Sequence, residues 1–128
     1  MSKVIAGLTY SKEHEWVKME GTVAVIGITD HAQSQLGDIV FIELPKAGAS
    51  VQYMKPMGVV ESVKAASDIF SPVTGKVVAV NDTLTKTPEH VNRDCYGAGW
   101  MVKIEPTRPE ELKQLLDDKD YSEYLEKA

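Results

Sequence analysis

The stretch Gly58-Val59-Val60-Glu61-Ser62-Val63-Lys64-Ala65-Ala66-Ser67-Asp68-Ile69-Phe70-Ser71-Pro72-Val73-Thr74-Gly75-Lys76-Val77-Val78-Ala79-Val80 decides how this chain reads. Its two ends are rich in valine and isoleucine, the residues that fit a pleated surface, and its middle is polar. Residues 58–63 and 69–80 therefore read as strands, with a tight turn between them that presents Lys64 at its tip. An ε-ammonium has a pKa of about 10.4, so it needs an enzyme to become a nucleophile, and acylation would remove its charge. A solvated loop lysine is the plainer reading of such a residue taken alone. What outweighs it is the pattern on either side.

Downstream, Ser71-Pro72-Val73-Thr74-Gly75 is a turn in which proline presets φ and glycine is free to take positive φ; the strand pattern resumes at Lys76. Upstream, Tyr53-Met54-Lys55-Pro56-Met57 mixes apolar side chains with a proline that cannot donate to a ladder, which suits an edge or an irregular segment. Residues 38–44 return to β-branched and aromatic types and stop at Pro45, with Lys46-Ala47-Gly48 as a turn. Between 29 and 36 the pattern changes to a short helix: Asp30 is placed to cap it, Gln33 follows three residues later as in a capping box, and Gly37 stops it. Residues 8–17 and 23–28 read as two strands joined at Glu20-Gly21. Residues 81–99, with Pro88, Gly97 and Gly99, read as a long surface excursion before a last strand at 100–104.

Beyond that strand the chain changes in kind. Thr107-Arg108-Pro109-Glu110 carries a cap hydroxyl, an early proline and a first-turn acid, with Leu112, Leu115 and Leu116 along one face. Asp120 with Glu123 opens a second helix whose apolar side is Tyr121, Tyr124 and Leu125. Short strands separated by regular turn signals predict a mainly β fold, a small antiparallel sandwich or barrel, within one domain spanning 1–128. The β body is expected over about 8–105 and the helices over about 107–127. Residues 48–63 and 81–104 echo each other, each passing from a turn through a polar section into a strand, which suggests a two-fold-related sandwich.

Composition limits the function classes. With 128 residues, 43% of them hydrophobic, the chain can bury a core. Fourteen Lys and Arg stand against 19 Asp and Glu for a net charge of −5, with no basic cluster, so the footprint of a nucleic-acid binder is missing. One cysteine, Cys95, cannot close an internal disulfide, and three histidines (His14, His31, His90) have no metal-site spacing, which points to a reducing compartment. No apolar run approaches the length of a bilayer span and no leader is visible, so no membrane partner is expected. Trp16 and Trp100 read as packing residues, His31 as a polar surface residue and Cys95 as a loop residue. Taken alone, Glu15 reads as a solvated strand residue.

Several blocks together carry a resemblance. They are Glu61-Ser62-Val63-Lys64-Ala65-Ala66-Ser67-Asp68 followed by Ser71-Pro72-Val73-Thr74-Gly75, then His14-Glu15-Trp16-Val17, Gly27-Ile28-Thr29-Asp30-His31-Ala32-Gln33, Leu36-Gly37-Asp38-Ile39-Val40, Glu43-Leu44-Pro45, Tyr96-Gly97 and Gly99-Trp100. In this order and spacing, over about residues 8–104, the chain resembles the H proteins of the glycine cleavage system, which are lipoyl carriers. The resemblance implies a flattened barrel-sandwich of two antiparallel sheets, of the biotinyl/lipoyl-carrier kind. It implies (R)-lipoate in amide linkage to Lys64, with Glu61, Ser62, Val63, Ser67 and Asp68 as the attachment motif, and Glu15 as a contact of the loaded arm with Asp68 assisting. The implied protein is a non-catalytic carrier. It takes an aminomethyl group from a pyridoxal-phosphate glycine decarboxylase (P protein) to a folate-dependent aminomethyltransferase (T protein). A dihydrolipoyl dehydrogenase (L protein) then reoxidises it. Lipoyl-attaching enzymes are further partners, and the carrier itself is expected to be a monomer in a bacterial cytoplasm or, as a mature chain, in the mitochondrial matrix.

Four positions depart from the family pattern: Met54 in place of a turn glycine, Cys95 in place of proline, Ala98 in place of glutamate, and Glu13 in place of a small hydroxyl residue. None lies in the lysine motif. A biotin carrier would want methionine on both sides of its lysine, whereas Lys64 sits between Val63 and Ala65. The lipoyl domain of a 2-oxoacid dehydrogenase would show Asp before the lysine, inside a longer multidomain chain. That domain and a lipoate-relay carrier are the alternatives kept. A cysteine hydrolase using Cys95 and His90 lacks the pattern of nucleophile and oxyanion donors.

Overall fold

A computed structural model describes residues 2–127. Its strands are β1 (Thr9–Tyr10), β2 (Glu15–Glu20), β3 (Val23–Ile28), β4 (Ile39–Glu43), β5 (Ser50–Val51), β6 (Pro56–Ser62), β7 (Ala66–Phe70), β8 (Gly75–Val80) and β9 (Val102–Pro106). They form a six-stranded sheet in the order β1-β2-β3-β9-β8-β5 and a three-stranded sheet in the order β4-β6-β7, antiparallel throughout. The helices are α1 (Asp30–Leu36), α2 (Thr83–Lys86), α3 (His90–Asp94), a 3-10 helix (Pro109–Gln114) and α4 (Asp118–Lys127). None is long and apolar enough to cross a membrane among the described residues. The mainly β sandwich expected from the sequence is the fold observed.

Alternation along the strands makes the core. Val17, Ile26, Val77 and Ile104 from the large sheet meet Ile42, Val60 and Ile69 from the small one in a single buried cluster; each such side chain contributes about 1.5–3 kcal/mol when fully buried. A second cluster, Leu8, Tyr10, Trp16, Val25 and Tyr121, lies where α4 packs on the first strands. Gly27 pairs with Trp16 across β2 and β3, and a Cβ there would come within 2.8 Å of the indole. Glycine at that point in a strand is the room the tryptophan needs.

Several expectations need correction. The single strand read over 69–80 is two, because the buried segment Ser71, Pro72 and Val73 carries the chain from the small sheet to the large one. The strand read over 8–17 is interrupted by a reversal: Ser11 N–H donates to Glu15 O (2.9 Å), His14 N–H to Ser11 O (3.2 Å), and His14 takes φ 72°. Thr29, not Asp30, caps α1, accepting from Ala32 N–H, while Gln33 donates to the Asp30 carboxylate instead of closing the box on the backbone. The excursion over 81–99 contains α2 and α3, each anchored by one fully buried residue, Leu84 and Val91. One apolar anchor per short helix leaves no period to read. The first C-terminal helix is 3-10 in type, and α4 begins before Asp120, whose N–H is taken by the Asp117 carboxylate (2.7 Å). The echo between 48–63 and 81–104 does not extend to the elements: the first holds β5 and all of β6, the second α2, α3 and most of β9.

Candidate functional site

Strands β6 and β7 form the lysine hairpin with Glu61 opposite Ala66, Val60 opposite Ser67 and Val59 opposite Asp68. Val60 and Ile69 point into the core and are buried, which fixes the register, since a slip of one residue would expose them. Ser62 closes the turn. Its N–H donates to Ala65 O (2.7 Å), and its Oγ accepts from the N–H groups of Ala65 (3.1 Å) and Lys64 (3.3 Å), a short polar side chain standing in for turn backbone. The turn is also latched sideways, Val63 N–H donating to Asp38 O at 3.1 Å.

Lys64 is exposed and, among the described residues, enters no ion pair. Its side chain lies along the backbone of Gly37, the residue that ends α1 with φ 80°. A Cβ on Gly37 would stand 3.4 Å from Lys64 Cε and 4.0 Å from Nζ. Glu61, Ser67 and Asp68 are exposed along the hairpin, and Val63 beside the lysine is 71% exposed. The attachment motif read from the sequence is therefore displayed on one projecting hairpin.

Glu15 is placed quite differently. It is 1% exposed, so it is not a solvated strand residue. One carboxyl oxygen accepts from Ser11 Oγ (2.5 Å) and the other from the N–H of Phe70 (3.2 Å) at the end of β7. Burial pushes its pKa up to about 8 against the lowering effect of those donors, with the nearby charge of Glu13 adding to the rise. Phe70 and Asp68 are two residues apart on one strand, and the hairpin rises about 13 Å from Phe70 to the turn. Glu15 thus sits beneath the root of the hairpin and Lys64 at its crest.

Other residues here carry no sequence signal of their role. Asp38 and Gly37 receive the turn, and Asn92 on α3 holds both ends of that corner. Gly37 reads from the sequence as a helix stop and shares with Asp38 a block that carries the resemblance, whereas nothing in the sequence points to Asn92. Cys95 lies in the turn after α3, a loop residue as expected, but a buried one; its carbonyl accepts from Trp16 Nε1 (3.0 Å), and burial raises the thiol to about 12, which makes it unreactive. Trp16 is core, whereas Trp100 is half-buried with Lys103 Nζ 5.1 Å above its ring. His31 is half-buried and lies 4.6 Å, centroid to centroid, from the ring of His14.

An amide-linked arm fits this lysine. The amine is exposed, its side chain passes beside the Gly37 backbone, and the turn beneath it is pinned on two sides.

The chain is similar to known proteins over nearly its whole length. The Glycine cleavage H-protein family model matches residues 8–128. A glycine cleavage system H protein from Carboxydothermus hydrogenoformans is 54% identical over 126 residues, covering 98% of this chain and 97% of its own. The mitochondrial glycine cleavage system H protein of Pisum sativum is also 54% identical, over 98% of this chain and 76% of its own. The crystal structure of a glycine cleavage system H protein from Mycobacterium marinum superposes with a TM-score of 0.87 at 33% identity, over 94% of this chain and 97% of that one. With a match over nearly the whole length and a two-sheet sandwich that superposes on a solved member, this chain belongs to the glycine cleavage H-protein family, the lipoyl-carrying shuttles of the glycine cleavage system, which carry rather than catalyse.

Proposed function

We propose that Lys64 bears (R)-lipoate in amide linkage and that this chain takes an aminomethyl group from glycine decarboxylase to the aminomethyltransferase, after which dihydrolipoyl dehydrogenase reoxidises it. The observation that carries this reading is an exposed lysine at the apex of a turn stapled by Ser62 and latched to Asp38. Lipoate bound there supplies a dithiolane, which exchanges electrons and carries the transferred group on sulfur. Everything else is the work of the chain. A rigid hairpin holds the tether's root at one point, so the tethered end stays at high effective concentration for any site that docks on it.

The exposed carboxylates of Glu61 and Asp68 flank the lysine and give lipoyl-attaching enzymes a shaped, acidic surface to read; the net charge of −5 favours basic docking patches on all the partners. Glu15, with Asp68 assisting, is the group that meets the amine of the carried unit. A buried carboxyl with a pKa near 8 is largely neutral at pH 7, and an arriving ammonium would draw it into its charged form and donate a charge-assisted hydrogen bond to it. The chain acts as a monomer in the bacterial cytoplasm, with the mitochondrial matrix as the other compartment; relatives of both kinds share about the same identity with it.

Lys64→Arg tests the reading. Arginine keeps the charge and the exposed position but cannot be acylated by these enzymes. The variant should fold, fail to gain the mass of a lipoyl group, and support no exchange of carbon dioxide with glycine in the presence of the decarboxylase. A variant that still supports the exchange would remove Lys64 from the function.

A further inference from the structure

Asn92 lies on α3, 28 positions along the sequence from Lys64, yet its carboxamide is wholly spent on the corner against which that lysine rests. Nδ2 donates to Gln33 Oε1 and to the Gly37 carbonyl, both at 2.9 Å, and Oδ1 accepts from the N–H of Ile39 at 2.9 Å. The three residues it holds are the last turn of α1, the residue that ends it and the first residue of β4. Between them stand the two groups that receive the hairpin tip. Asp38 O accepts from Val63 N–H, and the Gly37 backbone runs alongside Lys64 Cε. Ladder pairing gives this corner little help, because β4 and β6 pair at Ile39 and Ser62 and then lose register before Phe41 and Glu61.

We infer that Asn92 is a positioning residue for Lys64: by bonding both sides of the Gly37-Asp38 corner it fixes the shelf that sets where the ε-amine stands when a modifying enzyme arrives. An amide suits the task because it offers two donors, to the Gly37 carbonyl and the Gln33 side-chain oxygen, and an acceptor to Ile39 N–H in one planar group. Aspartate keeps the acceptor, loses both donors and turns a carboxylate toward the Gly37 carbonyl and the Gln33 side-chain oxygen. The inference deepens the lipoyl-carrier reading, but the shelf itself can be measured without any acylation.

The test uses the full chain, unmodified, as wild type, Asn92→Asp and Gly37→Ala. Amide hydrogen exchange should show the Val63 N–H exchanging about tenfold faster in Asn92→Asp, the loss expected when a supporting hydrogen bond goes. The paired amides of β2 and β3 should keep their protection. With a lipoate–protein ligase, the same variant should raise KM for the carrier several-fold at unchanged kcat, since the amine is intact and only its presentation is lost. Gly37→Ala keeps Asn92 but places a Cβ on a residue held at φ 80°, which strains the same corner from its backbone; it should raise KM in the same way, and the double variant should fall short of the product of the two effects. Unchanged Val63 exchange with unchanged KM would overturn the inference, and so would a uniform loss of protection across both sheets, which would make Asn92 a general stabiliser. If wild type gains no lipoyl group on Lys64, the carrier-lysine reading fails, while Val63 exchange still decides the shelf.

Discussion

Glu15 shows how much one residue's surroundings change its chemistry. In the unfolded chain its carboxyl titrates near 4.5, and in the folded protein burial holds it near 8. Between those values the folded state keeps a proton that the unfolded state has released, so stability falls as pH rises across that window, by at most about 1.4 kcal/mol per pH unit. Glu15→Gln replaces the protonated acid with a neutral group of the same shape that can still accept from Phe70 and bond Ser11. We expect urea denaturation from pH 5 to pH 8 to show a smaller loss of stability in this variant than in wild type. Equal losses would mean that Glu15 is ionised in the folded protein throughout. The sequence marked Glu15 only through resemblance, because charge and strand position alone describe a solvated residue; its burial is set by Ser11 four residues before it and Phe70 far along the chain.

Among the elements, the crossing turn between β7 and β8 matters most, since it hands the chain from the hairpin's sheet to the other one. Glu111, on the 3-10 helix, grips it: the carboxylate accepts from Thr74 N–H and Thr74 Oγ1, each at 2.7 Å, and Thr107 N–H donates to Thr74 O at 2.9 Å. Glu111→Ala leaves a half-buried N–H without its charged partner and should cost about 1–3 kcal/mol in urea denaturation. Lys64, held at the opposite end of the hairpin, should still be acylated at the wild-type KM, which separates this clamp from the shelf at Gly37. A midpoint unmoved by the substitution would show that Thr74 is satisfied by water. The turn itself was readable from Pro72 and Gly75. That it changes sheets was not, because a period of two says which residues face inward and nothing about which sheet they join.

On the scale of the whole molecule, α4 closes the sandwich through Tyr121. Its ring stacks on Tyr10 with centroids 4.4 Å apart, and its hydroxyl lies 2.8 Å from both His14 Nδ1 and Thr29 Oγ1. The C-terminus is thereby tied to the reversal before β2 and to the cap of α1. Burial first, and the charge of His31 second, hold the His14 pKa below its ordinary 6.5. The unfolded chain therefore binds a proton before the folded one does, and stability is lost as pH falls below about 6.5. This loss opposes the gain from Glu15 over the same range, so wild type should respond weakly to acid there. His14→Gln should remove the opposing half, and its melting temperature measured from pH 7 to pH 5 should fall less than that of wild type, or rise. A variant that falls as steeply would show that His14 is not the titrating group.

The sequence by itself determined the strands, the hairpin and the lysine at its tip, because alternation, turn chemistry and the motif around Lys64 are local properties that one segment carries alone. It also carried the family, since the blocks keep their order and spacing. Tertiary structure alone decided that residues 69–80 divide between two sheets, that Glu15 is enclosed, that α2 and α3 fold over single anchors, and that Asn92 reaches the corner beneath Lys64. Each of these depends on a contact between residues far apart in the chain, and such a contact leaves no period, cap or turn in the segment that makes it.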